Sequence, residues 1–201
     1  MTPAIATASL WAAWILSWGL ASVWTRRTQA RPPFNEILLY TVPTAIGALL
    51  LFLGANATMA ARGGPFATRF AAQLWGLPDW ACWIMTAAAA AGFAFTWWAR
   101  VTLGDLWSSS VSRKENHVIV ERGPYGLVRH PIYTGLIAAA FATAVEVGSA
   151  QTLAGAALMS FGFWMKARLE ERFLMAQLGE GAYADYRRRT PMLAPFWPVG
   201  R

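Results

Sequence analysis

Four stretches of this 201-residue chain contain no Asp, Glu, Lys or Arg: residues 1–25, 37–61, 80–99 and 147–165. A fifth, residues 130–145, carries only His130, at its edge. A helix rises about 1.5 Å per residue, so crossing a hydrocarbon layer of roughly 30 Å takes about 20 apolar residues. Runs of this length restrict the chain to an all-α integral membrane protein, because a helix satisfies its own backbone polar groups where no water is present. Five transmembrane helices are predicted, at about 5–24, 37–60, 80–99, 132–147 and 150–167. The last two are joined by Val147 to Ala150 as a tight helical hairpin. Residues 1–201 are read as a single membrane domain.

Composition agrees with this class. Hydrophobic residues make up 56% of the chain and charged residues 13%, against about 25% charged in soluble domains. The twelve tryptophans suit the lipid–water interface. Cys82 is the sole cysteine, which excludes an intrachain disulfide and a Cys-based metal site. No metal site is expected from His117 and His130 either.

The arginines and lysines fix an expected orientation. Segments 25–36, 100–130 and 166–201 hold fifteen of the seventeen, and Arg62 and Arg69 are the other two. The excess of positive charge belongs in the cytoplasm, which predicts the N-terminus out and the C-terminus in. The first apolar stretch has no basic residue before it, and Arg26 and Arg27 follow it, so it is read as a retained helix and not a signal peptide. The net charge of +7, distributed in this way, points to anionic lipid headgroups and not to nucleic acid. Fifteen arginines against two lysines and abundant alanine suggest a GC-rich bacterial genome, hence a bacterial inner membrane. Pro43 is expected to kink the second helix. Phe66, Phe70 and Leu74 predict a short amphipathic helix on the outer leaflet.

The polar residues gather in two cytoplasmic segments, residues 100–131 and 166–196. A hairpin of the fourth and fifth helices would bring Arg129 to Tyr133 close to Lys166 to Glu171, a place for an amphipathic ligand. Each residue also has a simpler role. Arg129 suits a positive-inside anchor, and Pro131 suits the first turn of a helix. Glu170 and Glu171 suit a solvated helix face, and Arg187 to Arg189 suit contact with lipid headgroups. No G-x-G-x-x-G or G-x-x-x-x-G-K motif is present, and neither a nucleophile–base–acid set nor H-E-x-x-H supports hydrolysis.

Taken together, the two segments carry a more specific pattern. "HVIVERGPYGLVRHPIYTG", followed about forty residues on by "EERFLMAQLGEGAYADYRRRTPMLAPF", resembles the isoprenylcysteine carboxyl methyltransferase family, membrane enzymes related to phospholipid N-methyltransferases. The resemblance covers about residues 100–196 and implies methyl transfer from S-adenosylmethionine to a lipophilic acceptor from the bilayer. It implies a cytoplasmic cofactor site formed by residues 100–131 and 166–196. His117, Val118, Ile119, Val120, Tyr125, His130, Pro131, Ile132, Tyr133 and Glu170 match cofactor-holding positions, with Arg129 and Glu170 as catalytic candidates. The family's substrate-contacting arginine falls on Lys166, a departure for which Arg168 is the candidate stand-in. The tail from Tyr183 to Phe196 is expected to fold back as a lid. A membrane oxidoreductase of sterol-reductase type and a non-catalytic lipid-binding protein are the alternative functions. The sequence leaves the acceptor and the oligomeric state open.

Overall fold

The apolar runs set the helices, and the small residues within them set how closely those helices approach. The computed structural model describes residues 1–23, 28–30, 32–60, 72–107, 113–114, 119–178 and 180–197. The described helices are α1 (Pro3–Ala21), α2 (Phe34–Ala60), α3 (Asp79–Leu103), α4 (Pro131–Val147), α5 (Ala150–Leu178) and α6 (Glu180–Arg189). Short 3-10 turns at Gly104–Leu106 and Gly123–Gly126 lie between α3 and α4. The described residues are mainly helical, with one small ribbon in which Thr28–Ala30 pairs antiparallel with Arg113–Lys114 and an isolated bridge between Gln73 and Ser149. No strand was expected there. Phe66 and Phe70, part of the expected surface helix, lie outside the described residues.

Among the described residues, three helical segments are long and apolar enough to cross a membrane: Pro3–Ala21, Phe34–Gly54 and Asp79–Leu103. Helix α4 is apolar but has 17 residues. Helix α5 continues to Leu178, well beyond the limit of 167 set by hydropathy. The charged residues that end the apolar run, from Lys166 to Arg172, are good helix formers, so the helix outlasts its apolar part. Pro43 stays within α2, where the Thr44 hydroxyl donates to the Tyr40 carbonyl at 2.7 Å.

Two pairs of helices meet backbone to backbone. A Cβ added to Gly47 of α2 would lie 2.7 Å from the Gly155 carbonyl of α5, and one added to Gly162 would lie 2.8 Å from the Thr44 nitrogen. Likewise, a Cβ on Gly92 of α3 would lie 2.6 Å from the Gly135 carbonyl of α4. Helices in lipid lack a hydrophobic drive to associate, so such small-residue contacts supply the packing. The α4–α5 connection is a compact turn. Gly148 takes the left-handed conformation that suits glycine (φ 71°), and the Ser149 hydroxyl accepts from the Thr152 amide at 3.2 Å.

Helix α1 is tied to this frame by polar side chains. The indoles of Trp11 and Trp14 donate to the Thr143 and Thr96 hydroxyls at 2.9 and 2.8 Å. The Thr7 hydroxyl donates to Glu146 at 2.7 Å. Trp11 is therefore a core residue, only 5% exposed, which corrects the expectation that tryptophans would mark the interface; Trp80, Trp83, Trp98 and Trp164 are exposed. At the other end of α1, the buried Arg100 donates to the Ala21 carbonyl at 2.9 Å and to the Gly104 carbonyl at 2.5 Å. It also lies 4.6 Å from the Trp107 ring centre. A cation is favourable at a helix C-terminus, so Arg100 joins α1 to the end of α3.

Candidate functional site

The site starts from the sharp entry into α4. Gly123, at φ 60°, opens a 3-10 turn that buries Pro124 and Tyr125. The chain then passes through Arg129 and His130 to Pro131, which begins the helix and so needs no amide partner in its first turn. The C-terminal tail runs back along this entry. The Arg129 and His130 amides donate to the Pro191 and Met192 carbonyls at 2.8 and 3.1 Å. The Thr134 hydroxyl donates to the Leu193 carbonyl at 2.6 Å. The tail is thus fixed by main-chain bonds over the start of α4, while Phe196 and Trp197 at its end are exposed.

Beneath the tail, the entry and first turn of α4 bring Arg129, His130 and Tyr133 against Glu170 and Glu171 of α5. Arg129 Nε donates to Glu171 Oε1 at 2.7 Å. The same guanidinium donates through Nη1 to the Arg187 carbonyl at 3.1 Å and to the Thr190 carbonyl. Arg129 thereby supplies partners to carbonyls at the end of α6, which lack them within the helix. The His130 ring lies between the acid pair, with Nδ1 3.4 Å from Glu170 Oε2 and Nε2 3.3 Å from Glu171 Oε1. The Tyr133 hydroxyl donates to Glu170 Oε1 at 2.6 Å. Arg187 Nε lies 3.4 Å from the second oxygen of Glu171.

The two acids differ in what they offer. Glu171 is 4% exposed at its side chain and surrounded by Arg129, Arg187 and His130. Glu170 is 23% exposed and is the acid open to a ligand. Burial alone favours a neutral His130, yet its hydrogen bonds and charge interactions with Glu170 and Glu171 hold its pKa above the ordinary 6.5. Burial likewise opposes ionisation of the two acids. Burial is the largest single influence, but hydrogen bonding to His130 together with Lys166 and Tyr133 at Glu170, and with Arg129 at Glu171, outweighs it, so both pKa values fall below 4.5. The His130 ring nitrogens each face a carboxylate, an arrangement that favours the protonated imidazole. Burial also pushes up the hydroxyls of Tyr125 and Tyr186. The Tyr186 hydroxyl donates to the Tyr125 carbonyl at 2.7 Å, a second link between α6 and the entry turn.

Aromatic rings continue from the cluster into the bundle. His130 stacks on Tyr133 with centroids 5.6 Å apart, and Tyr133 stacks on Phe163 at 5.2 Å. Lys166 Nζ lies 5.4 Å from the Tyr133 centroid and 5.6 Å from that of Tyr40.

The remaining residues singled out in the sequence divide as follows. Pro131 is buried and Ile132 half-buried under the tail, and Ile119 and Val120 are half-buried. His117 and Val118 lie outside the described residues. Arg168 is exposed and lies 5.1 Å from the Trp164 ring centre. Residues two apart on a helix do not share a face, so of Lys166 and Arg168 only Lys166 joins the cluster. Glu171, Arg187, Thr190 and Tyr40 complete the arrangement. The Glu-Glu pair and the arginine run pointed toward the first two; nothing in the sequence pointed to Tyr40. Among the described residues, no three His, Cys, Asp or Glu side chains are grouped to hold a metal ion.

Helices long and apolar enough to span a membrane, with a buried acid–imidazole cluster where α4 meets α5, define the class as an integral membrane protein and mark that cluster as its candidate site. Residues 83–176 match the profile of the isoprenylcysteine carboxyl methyltransferase (ICMT) family. The chain is 33% identical over 103 residues to the cobalt-zinc-cadmium resistance protein CzcN of Cupriavidus metallidurans, covering 47% of this chain and 44% of that protein. It is 32% identical over 103 residues to the protein-S-isoprenylcysteine O-methyltransferase of Schizosaccharomyces pombe, covering 50% and 43%. The corresponding figures for protein-S-isoprenylcysteine O-methyltransferase B of Arabidopsis thaliana are 27% over 86 residues, covering 43% and 44%. The chain spans less than half the length of these relatives.

Proposed function

We propose that the protein is a membrane-embedded methyltransferase that uses S-adenosylmethionine and modifies a lipophilic acceptor. The observation that carries this reading is the clasp of His130 between Glu170 and Glu171, inside the segment that matches the family and beneath the folded-back tail. The side chains fit the proposed donor. Glu170, partly exposed, suits an ammonium group, and the half-buried Ile119 and Val120 with the Tyr125 turn suit a flat base. His117 and Val118 belong to the same set by resemblance alone.

When bound, S-adenosylmethionine supplies a methyl group on a positively charged sulfur, so the protein's main task is to position two reactants. Glu170 is held in place for this by Tyr133 and His130. Arg129, engaged with Glu171 and the end of α6, keeps the tail over the site. Lys166, on the apolar side, faces the acceptor. For an acceptor that arrives protonated, Glu170 is the base within reach, because Glu171 is already surrounded by cations.

The proposal includes topology. Helix α4, at about 25 Å, and the first part of α5 complete five spans, with the N-terminus out and the site at the cytoplasmic face of a bacterial inner membrane. Arg187, Arg188 and Arg189, exposed on α6, then lie where anionic headgroups are available.

Two measurements test the function. Titration calorimetry of the purified protein should show S-adenosylmethionine binding that is lost in Glu170→Ala and His130→Ala; undiminished binding in both would remove the site assignment. Incubation with methyl-labelled S-adenosylmethionine and a membrane lipid extract should label one lipid species, and absence of any labelled lipid would overturn the activity.

A further inference from the structure

We infer that Tyr40 is a positioning residue for the methyl acceptor: its ring and that of Tyr133 flank the Lys166 ammonium and fix it at the boundary between the acidic cluster and the apolar α2–α5 interface. The inference rests on the methyltransferase reading and deepens it. Tyr40 belongs to α2, outside the family-matched residues 83–176, so the match itself does not assign it a role.

The geometry is specific. Tyr40 and Tyr133 are both buried, at 7% and 9% exposure, and Lys166 Nζ lies 5.6 and 5.4 Å from their centroids. Both distances are within the roughly 6 Å over which a ring attracts a cation. Ile37, Met165, Leu169 and Phe173 pack around Tyr40, so its ring has little room to turn. Gly162 lets α5 approach the Tyr40–Thr44 turn of α2 closely enough for this contact to form. Glu170 lies one turn beyond Lys166, where its Tyr133 bond marks the start of the acidic cluster.

Tyr40 accounts for a lysine at this position. A guanidinium is a planar fork that orients a bound anion by itself, whereas an ammonium is a point charge on a flexible four-carbon stem. Two ring faces restore the missing orientation by confining the stem. The acceptor matched to such a charge is a lipophile with a negatively charged group beside the atom that receives the methyl.

The chain has two lysines, Lys114 and Lys166, so selective isotopic labelling of lysine gives two resolvable side-chain signals in detergent-solubilised protein. The Lys166 side-chain protons should be shifted upfield of ordinary lysine values by the two rings. Tyr40→Phe should retain this shift and Tyr40→Leu should lose a large part of it; an unchanged shift in Tyr40→Leu overturns the flanking arrangement. This readout needs neither donor nor acceptor. In the lipid-extract assay, Tyr40→Leu should raise the half-saturating amount of extract about tenfold, the order of one desolvated cation–π contact. The maximal rate and S-adenosylmethionine affinity should stay near wild type. Tyr40→Phe, which keeps the ring if Tyr40→Leu folds poorly, should stay within about twofold. Lys166→Gln should match Tyr40→Leu, and the double variant should be no worse than Lys166→Gln alone. Multiplying effects, or a Tyr40→Phe defect as large as that of Tyr40→Leu, overturns the positioning role. Failure of the wild type to bind S-adenosylmethionine would remove the methyltransferase reading, while the lysine signals would still decide the contact.

Discussion

Arg129 Nε and Glu171 Oε1 meet at 2.7 Å across 42 residues of chain, with both side chains buried. Removing one partner of a buried pair costs about 3–5 kcal/mol because the other charge is left unmatched. Arg129→Met should therefore lower the thermal midpoint in detergent strongly. It should also free the tail, so trypsin cuts faster at Arg187 to Arg189. A variant with wild-type stability and cutting rate would show that the tail is held by its main-chain bonds alone.

The pH dependence follows from the same cluster. His130 has a raised pKa, so its contribution to stability is complete below the ordinary 6.5 and is lost as pH rises through the raised value. Glu170 and Glu171 have lowered values, so theirs is complete above the ordinary 4.5 and is lost as pH falls through the lowered values. The cluster should stabilise most between these limits. His130→Gln should thus cost most near pH 5.5 and progressively less in alkaline buffer. A stability difference from wild type that does not change with pH would contradict the charged clasp.

Backbone contact between α3 and α4 gives a steric prediction. A Cβ at Gly92 would lie 2.6 Å from the Gly135 carbonyl, whereas one at Gly19 meets nothing within 4 Å. Gly92→Ala should destabilise by about 1–3 kcal/mol, the usual cost of overpacking, and Gly19→Ala should not. Equal midpoints for the two variants would mean that α3 and α4 separate without penalty.

The link from α1 to the bundle can be isolated. Trp11→Phe removes the indole donor to Thr143 and should cost about 1 kcal/mol or somewhat more, since the Thr143 hydroxyl is left buried. Thr143→Val in the Trp11→Phe background should then cost less than it does alone. Additive losses would place the energy in ring packing against Phe52 and Phe93.

Apolar length made the helices legible in the sequence, and spacing between motifs made the Arg129–Tyr133 and Lys166–Glu170 partnership legible. Hydropathy could not show where α5 ends, because Lys166 to Arg172 are charged yet helix-forming. It also could not separate Trp11 from the exposed tryptophans, since an indole suits both lipid and a buried threonine partner. Arg129 looked like a topology anchor or a catalytic residue; its role as a partner for the carbonyls of α6 depends on the tail folding back. Tyr40 was illegible for a plainer reason. Its place beside Lys166 is set by glycines at 47, 155 and 162, which carry no chemical signal of their own.

Helix α5 runs unbroken for 29 residues from Ala150, and the acid pair stands twenty residues from its start. At about 1.5 Å per residue that is about 30 Å, the thickness of the hydrocarbon layer. The helix therefore acts as ruler and protractor together. One inserted residue before Glu170 would lift the pair by only about 1.5 Å but swing it through about 100°, away from His130. The site should tolerate many changes of side chain along the exposed side of α5, and no change in its residue count.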